Sequence, residues 1–229
     1  MFNIQPGGAI SLYDPTFANN DWSKIIQACQ RNAVPDTWAV GNSKPMTING
    51  TEYNIDIIGK NHDTYSDGSG TAPLTFQLHE AYATASSMAT SKPSPFGWKY
   101  TKMYSTTLPN FLSLLPQEVQ DAVKAVNKRS TLSYASQYNS TTKEKIFILS
   151  ATELLGDTST EWSTNQGTQY EYYSSGGSKG KNTPDGSQAP CWTRSISLVS
   201  DGYFIVRTYT SQSTASYNSN KYYAPAFCF

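Results

Sequence analysis

The sequence predicts a single α+β domain of short antiparallel strands, a few helices and long polar loops. Asn49-Gly50 and Asp201-Gly202 each lie between short runs of strand-forming residues, and such dipeptides are strong hairpin signals. Apolar residues recur at helical spacing between 22 and 32, which predicts an amphipathic helix. The chain of 229 residues suits one domain and is long enough to bury a sizeable core.

The N-terminal part of the chain divides into an arm, a helix and a hairpin. Residues 1–20 contain a Gly-Gly pair and two prolines without an apolar period, so we expect an extended arm that is ordered only by docking on something else. The domain then begins at residue 21, and its first helix ends before Pro35. The first hairpin is expected to pair residues 44–48 with 51–58.

The middle of the chain contains a strand signal on each side of a longer helical signal. Residues 74–78 alternate as in a strand, and 145–149 are apolar as in a buried strand. Between them, residues 108–128 keep one apolar helical face, with a break near Pro116 where a second helix can start. Residues 130–143 are polar and are predicted to form a loop.

The C-terminal part alternates between apolar blocks and polar segments. Ser150 and Glu153 are spaced as in a capping box and predict a short helical turn. Residues 156–189 have no apolar period, and a loop of this length in a compact domain is usually functional or disordered. The apolar block at 191–195 and the closing strand enclose the second hairpin and a polar segment, 211–223. A strand at the chain terminus is expected to be tied into a sheet.

Composition excludes several classes of partner. Seventeen basic and seventeen acidic residues give a formal charge of zero. The strongest basic cluster, 124–129, is predicted to be the exposed end of a helix, so a nucleic-acid partner is not expected. No apolar run reaches membrane-spanning length, and the first thirteen residues lack the features of a signal peptide, so we expect synthesis in a cytoplasm.

Three cysteines, Cys29, Cys191 and Cys228, are too few for a disulfide framework. Without an export signal we expect them to be reduced, although Cys191 and Cys228 flank the terminal sheet and could pair.

The sequence predicts no enzyme, metal site or cofactor. His62-Asp63 with Asp67-Gly68 lacks the ligands that complete a calcium loop, and His79-Glu80 has no second histidine at zinc-protease spacing. No glycine-rich phosphate loop opens a helix. A structure that brings His62, His79 and carboxylates together would favour an enzyme instead.

Two sets of residues are candidates for particular roles. Glu153 and Arg194 are charged residues inside apolar blocks, and a planar guanidinium suits pairing with a carboxylate, so a buried ion pair is expected. The predicted structural frame consists of Glu153, Trp192, Arg194, Pro225 and Phe227. Tyrosine is frequent, and tyrosine with serine and asparagine is typical of contact loops, although β-rich proteins share this composition. The predicted ligand contacts are Tyr170, Tyr172, Tyr173, Tyr217, Asn218, Asn220 and Tyr222.

The order of these segments resembles a bacterial and phage family of uncharacterised domains. That family has a tryptophan-containing segment before a helix, a "kiFiLSxxE" strand, a "WxRS" strand and a closing "PAF" strand. The resemblance covers about residues 40–229, and its pieces here are Trp98 with 108–128, Ile146 to Glu153, Trp192 to Ser195 and Pro225 to Phe227. The family looks like a branch of the C-type-lectin-like fold and is similar to the variable proteins of diversity-generating retroelements. The sequence motifs of calcium-dependent lectins are not present.

The resemblance implies a fold and a function. It implies a C-type-lectin-like domain over 21–229 that acts as a non-enzymatic binding module on the surface of a phage particle. The loop 156–190 and the segment 211–223 would recognise a host surface protein or glycan, and the arm would contact other virion proteins. The alternative is a structural virion protein, a capsid decoration or tail component, that contacts only other virion proteins. In either role the chain is expected to form a homo-oligomer.

Overall fold

A computed structural model describes residues 12–131, 139–156, 162, 165–208 and 211–229. The strands, in chain order, are β1 (Ser43–Ile48), β2 (Thr51–Lys60), β3 (Leu74–Leu78), β4 (Val126–Thr131), β5 (Asn139–Glu144), β6 (Ile146–Phe147), β7 (Lys181–Asn182), β8 (Gln188–Ala189), β9 (Cys191–Ile196), β10 (Tyr203–Arg207), β11 (Gln212–Ser216) and β12 (Ala226–Cys228). The α-helices are α1 (Trp22–Gln30), α2 (Leu108–Leu112), α3 (Gln117–Ala122), α4 (Ala151–Leu155) and α5 (Glu171–Ser174). The fold is therefore α+β, with several small antiparallel sheets and short helices.

The central sheet has five antiparallel strands in the order β1-β2-β3-β12-β6. Its first hairpin turns at Asn49 and Gly50, whose φ angles are 48° and 79°. Two successive positive φ angles are what a two-residue turn between twisted strands requires, and asparagine and glycine tolerate them best. The first predicted hairpin is confirmed.

The chain terminus lies inside this sheet. Strand β12 pairs with β3 on one side and with β6 on the other, and Phe227 faces Phe76 across the first pair. The rings of Phe76, Phe227 and Phe229 are fully buried against one another. The expectation that the final strand is tied into a sheet is confirmed, and Phe227 belongs to the core as predicted.

The predicted first helix forms and covers one face of the central sheet. Helix α1 buries Trp22, Ile25, Ile26 and Cys29, which is the apolar face that the sequence period indicates. The ring of Trp22 meets Phe76 edge to face, with 5.8 Å between ring centroids.

The part of the predicted arm that the structure describes packs on the same core. Phe17 is buried and stacks on Phe76 at 6.2 Å, and Trp38 Nε1 donates to the carbonyl of Asp14 at 3.0 Å. Residues 12–20 therefore belong to the domain and do not form a separate docking segment. The rest of the predicted arm, 1–11, lies outside the described residues.

The helix predicted over 108–128 is too long. Helix α3 ends at Ala122, and Val123 is extended (φ −60°, ψ 121°). Along β4 the side chains then alternate between buried and exposed, with Val126 and Lys128 inside. Valines at 119, 123 and 126 have helical spacing, but only Val119 lies in a helix, because the pairing of β4 with β5 places Val126 in a strand.

The predicted loop 130–143 contains most of β5, and its segment 132–138 lies outside the described residues. The strand predicted at 145–149 is limited to β6, because Ser150 caps α4 directly afterwards. The second predicted hairpin is confirmed only in part, because its first strand is the apolar block that ends at Ile196 and residues 197–202 form the connection. Strands β9 and β10 pair antiparallel and form a three-stranded sheet with β11. The polar segments expected to be loops also contain regular structure, namely α5, β7 and β8 in 156–189 and β11 in 211–223.

Candidate functional site

A network of four buried charges lies between the central sheet, β4, β9 and α4. Arg194 Nη1 contacts Glu153 Oε2 at 2.5 Å, so the predicted ion pair is confirmed. Glu153 Oε1 contacts Lys128 Nζ at 3.2 Å, and Lys128 also contacts Asp63. All four side chains are at most 4% exposed. Two cations and two carboxylates therefore balance one another inside the protein.

Each member of the network is also held by polar groups of the surrounding segments. The Arg194 guanidinium donates to the carbonyls of Arg129, Ile148 and Gln166 at 2.9–3.1 Å. Glu153 accepts from the backbone of Ser150, whose hydroxyl accepts from the backbone of Glu153, so the predicted capping box is present. Buried ion pairs are stable only when such extra hydrogen bonds satisfy them. The network fixes the relative positions of four chain segments and has the character of a structural frame.

Burial and charge act in opposite directions on the pKa values of this network. Burial by itself raises the pKa of Asp63, but the Lys128 ammonium outweighs it and lowers that pKa to about 2. Burial likewise raises the pKa of Glu153, but the positive charges of Arg194 and Lys128 lower it by a larger amount, so the net shift of this pKa is downward. Burial lowers the pKa of Lys128, and Asp63 and Glu153 outweigh this, so that pKa is raised. All members are charged at neutral pH.

Asp63 should make the unfolding free energy of the protein depend on pH in the acidic range. Its pKa is lower in the folded protein than the ordinary value of 3.8, so its contribution is complete above about pH 5 and is lost as pH falls towards 2. A shift of this size corresponds to about 2 kcal/mol of unfolding free energy. Urea titrations between pH 2 and 7 should show this loss in the wild type and a smaller loss in Asp63→Asn. Equal acid dependence in the two proteins would contradict the assignment.

The remaining frame residues occupy buried positions as predicted. Trp192 Nε1 donates to the carbonyl of Ser86 at 2.8 Å, and the carbonyl of Pro225 accepts from the backbone of Leu78 at 3.1 Å. Both interactions join the C-terminal block to the segment that begins at β3.

Tyr170 and Tyr173 lie inside the protein, which corrects their assignment to a contact surface. The Tyr170 hydroxyl donates to Asp63 Oδ2 at 2.8 Å, and the Tyr173 hydroxyl donates to Gln77. Both rings are at most 1% exposed. Tyr170 is the N-cap residue of α5 and Tyr173 lies within the helix, and their spacing of three residues is the sequence signal that both rings point to the same side.

Tyr172 lies on the other side of α5 and lines a polar pocket of about 360 Å³. His79, Glu80, Lys181 and Asn182 also line this pocket. The pocket therefore combines the segment after β3 with the hairpin of β7 and β8, and that hairpin lies in the 156–189 region that has no apolar period in the sequence.

The titratable groups of this pocket already have internal partners. His79 Nδ1 is 2.7 Å from Asp56 Oδ2, and this hydrogen bond raises the pKa of His79. Both carboxylate oxygens of Glu80 accept from Asn54, at 2.9 and 3.1 Å. Lys181 Nζ donates to the carbonyl of Leu78 at 2.9 Å, and burial lowers the pKa of that ammonium group.

The second predicted contact segment forms an exposed turn with a fixed backbone. Asn218 and Asn220 are exposed, whereas Tyr217 and Tyr222 are half-buried. The backbone of Tyr217 bonds to Gly202 and Ala89, and that of Lys221 exchanges two bonds with Ser86. These bonds tie both ends of the turn to the sheet formed by β9, β10 and β11 and to the 86–89 segment.

The structure brings the two predicted contact segments together. The Tyr222 ring packs against Ala81, Ala189 and Cys191. Its backbone N–H donates to the carbonyl of Pro190 at 3.0 Å, and its carbonyl accepts from Trp192 at 2.9 Å. The exposed turn at 217–220 therefore adjoins the hairpin that lines the polar pocket.

The two histidines have different neighbours. His62 stacks on the buried Tyr170 ring, with 3.9 Å between centroids, and burial lowers the pKa of His62. His79 belongs to the polar pocket beside Asp56. The residues that the structure describes contain no group of three or more potential metal ligands. They also contain no helix that is both long and apolar enough to cross a membrane.

The three cysteines are free and buried, so the possible pair of Cys191 and Cys228 does not form. Burial raises the pKa of Cys29 and of Cys191 to about 12, and the pKa of Cys228 is raised well above its ordinary value. Thiols of this kind are inert at neutral pH because the thiolate is the reactive form.

Residues 75–229 match the family described as "Domain of unknown function (DUF6273)", and the chain belongs to that family. The matched region begins within β3 and includes Lys128, Glu153 and Arg194 of the buried network, the polar pocket and the exposed turn. No curated protein and no solved structure matches the chain.

Proposed function

We propose that this chain is a non-enzymatic binding module with a C-type-lectin-like fold, carried on the surface of a phage particle. In this proposal the module recognises a glycan or protein of the host surface. The phage setting and the lectin-like fold rest on the sequence pattern from Trp98 to the closing strand. The binding role is supported by the arrangement of the two polar segments, which does not depend on that resemblance.

The observation that carries the proposal is the exposed turn at 217–220 beside the polar pocket. Its backbone is fixed at both ends by hydrogen bonds to Gly202 and to the 86–89 segment, so little backbone conformational entropy remains to be lost when its side chains meet a ligand. Asn218 and Asn220 present amide donors and acceptors, and the pocket adds Asn182 and the half-buried Tyr172. Amide groups with a nearby aromatic ring suit a polar ligand such as a sugar.

The proposal predicts that exposed asparagines on this surface control binding. Asn182→Ala combined with Asn220→Ala should weaken binding to host cells at least tenfold, because each lost hydrogen bond is worth about 1 kcal/mol. Both side chains are exposed, so the double variant should keep its unfolding midpoint. Binding would be measured with fluorescently labelled protein on whole bacterial cells and on an array of bacterial surface glycans.

The matched control is Asn110→Ala, an exposed asparagine on α2. It should bind as the wild type does. Unchanged binding by the double variant, or no binding of the wild type to any cell or glycan, would argue against the proposal. The latter result, together with incorporation of the chain into particles, would favour the alternative of a structural virion protein.

A further inference from the structure

Lys128 and Asp63 of the buried network meet in a site with apolar walls. Lys128 Nζ contacts Asp63 Oδ1, and the two side chains are 1% and 4% exposed. Nζ also lies over the Phe147 ring, 3.8 Å from its centroid, and Ile58 and Leu149 belong to the same apolar cluster as that ring. A primary amine and a carboxyl group are therefore held in contact and away from bulk water.

Three neighbouring side chains bond to these two groups in a way that suits proton transfer. The Tyr170 hydroxyl accepts from Lys128 Nζ at 2.7 Å and donates to Asp63 Oδ2 at 2.8 Å, so it bridges the amine and the carboxyl group. Glu153 Oε1 accepts from Nζ at 3.2 Å, and the Thr75 hydroxyl donates to Asp63 Oδ2 at 2.6 Å. The nitrogen thus has a carboxylate beside it, and Oδ2 has two donors that favour its departure.

Burial favours the uncharged forms of both groups. It raises the pKa of Asp63 and lowers the pKa of Lys128, and it is the largest single effect on each of them. The attractions between opposite charges outweigh burial in sum, so the ion pair is the resting form. The form in which a proton has moved from Nζ to Oδ2 nevertheless costs less free energy here than in water, and the free amine is the nucleophilic form of a lysine.

We propose that Lys128 and Asp63 condense to an amide, which joins β4 covalently to the segment after β2. Nζ attacks Cγ of Asp63, so that the Nζ–Cγ bond forms and the Cγ–Oδ2 bond breaks. One ammonium proton stays on the nitrogen, and the others pass through the Tyr170 hydroxyl to Oδ2, which leaves as water. Glu153 Oε1 stabilises the positive charge on the nitrogen until the last of these protons has left. No electrons are gained or lost, so the reaction needs no oxidant.

The surroundings favour the amide once it has formed. Condensation removes a pair of charges whose burial is costly, and it leaves Glu153 paired with Arg194 at 2.5 Å, so the network stays neutral. Contact in the folded chain also replaces the entropy that two separate reactants would lose. Because the ion pair is the resting form, the reaction is slow, and newly purified protein retains mostly the ion pair. This inference rests on the buried network and is independent of the proposed function, which rests on the exposed turn.

Intact-mass spectrometry of the purified chain, before and after several days at neutral pH, tests the proposal. We expect the wild type to lose the mass of one water molecule. Trypsin should then fail to cleave after Lys128, and the peptide that ends at Arg129 should be joined to the peptide that contains Asp63. The exposed pair of Lys124 and Asp67, 3.4 Å apart, is an internal control that should stay unlinked, because water keeps both groups charged.

Three variants assign the roles of the reacting groups. Asp63→Asn should form the same linkage with loss of ammonia in place of water, which identifies residue 63 as the source of the leaving group. Lys128→Arg keeps the positive charge without the amine and should form no linkage. Tyr170→Phe keeps the ring without the bridging hydroxyl and should slow the reaction at least tenfold. Circular dichroism checks that each variant is folded.

The proposal is overturned if the wild type shows no linked peptide before or after incubation. It is also overturned if the linkage persists in Lys128→Arg, because another amine would then have reacted. A folded Tyr170→Phe variant that reacts as fast as the wild type would contradict the proton path through the hydroxyl.

Discussion

Replacing Lys128 with methionine should lower the free energy of unfolding by about 3–5 kcal/mol, which is the usual cost of removing one partner from a buried ionic group. Methionine fills much of the same volume, so the loss reports mainly on charge. Without the ammonium group, Asp63 loses the buried cation that contacts it, and Glu153 keeps Arg194. The Tyr170 hydroxyl also loses its 2.7 Å contact with Lys128. Urea unfolding followed by tryptophan fluorescence measures the change.

The control for this substitution is Lys143→Met on the neighbouring strand. Lys143 faces Asn127 across the β4–β5 pair and is exposed, so its replacement should change the unfolding free energy by less than about 0.5 kcal/mol. A loss below about 1 kcal/mol in Lys128→Met would mean that the network is not a structural frame. Adding Asp63→Asn to Lys128→Met should recover part of the lost unfolding free energy, because a neutral amide then replaces the buried carboxylate that has no cation beside it.

Half of this network is predictable from the sequence. Arg194 and Glu153 stand inside apolar blocks, and charged residues in such positions need a partner, so their pairing follows from the chain alone. The prediction that Lys128 lies at the exposed end of a helix is wrong, because the valines at 123 and 126 continue the helical spacing of Val119 beyond the point where α3 ends. Its burial depends on the pairing of β4 with β5, and this pairing is a tertiary contact that no local pattern determines.

The elements of the fold also divide into those that the local sequence determines and those that depend on tertiary contacts. Asn49-Gly50 and the capping box at Ser150 act within a few residues, so their structures follow from local chemistry. The position of β12 inside the central sheet can be expected only in outline, since its partners β3 and β6 are far away in sequence. Composition places Tyr170 and Tyr173 on a contact surface, whereas the carboxylate and amide that bind their hydroxyls lie on segments more than ninety residues earlier in the chain.

Replacing Gly167 with alanine is the second substitution that we expect to disturb the buried charge network and to lower the free energy of unfolding. Gly167 has a φ of +111°, and a Cβ there would lie 2.7 Å from Glu153 Oε1 and 2.8 Å from its Cγ. Oε1 is the oxygen that contacts Lys128, so the added methyl group must push the carboxylate away from its cation. Because Glu153 is buried and bonded on both oxygens, any such movement disturbs at least one of these bonds.

Gly167→Ala should therefore destabilise the protein through two effects that a matched variant separates. Gly186 has a φ of +86°, and a Cβ there would have no described atom within 4 Å, so Gly186→Ala reports the backbone strain alone, about 1–2 kcal/mol. Gly167→Ala should lose about 1–3 kcal/mol beyond that value, which is the typical cost of overpacking a buried site. In the background of Glu153→Ala, the extra loss should disappear, because the side chain that clashes is no longer there. If the two glycine variants unfold with the same free energy, the close approach of residue 167 to Glu153 does not contribute to stability.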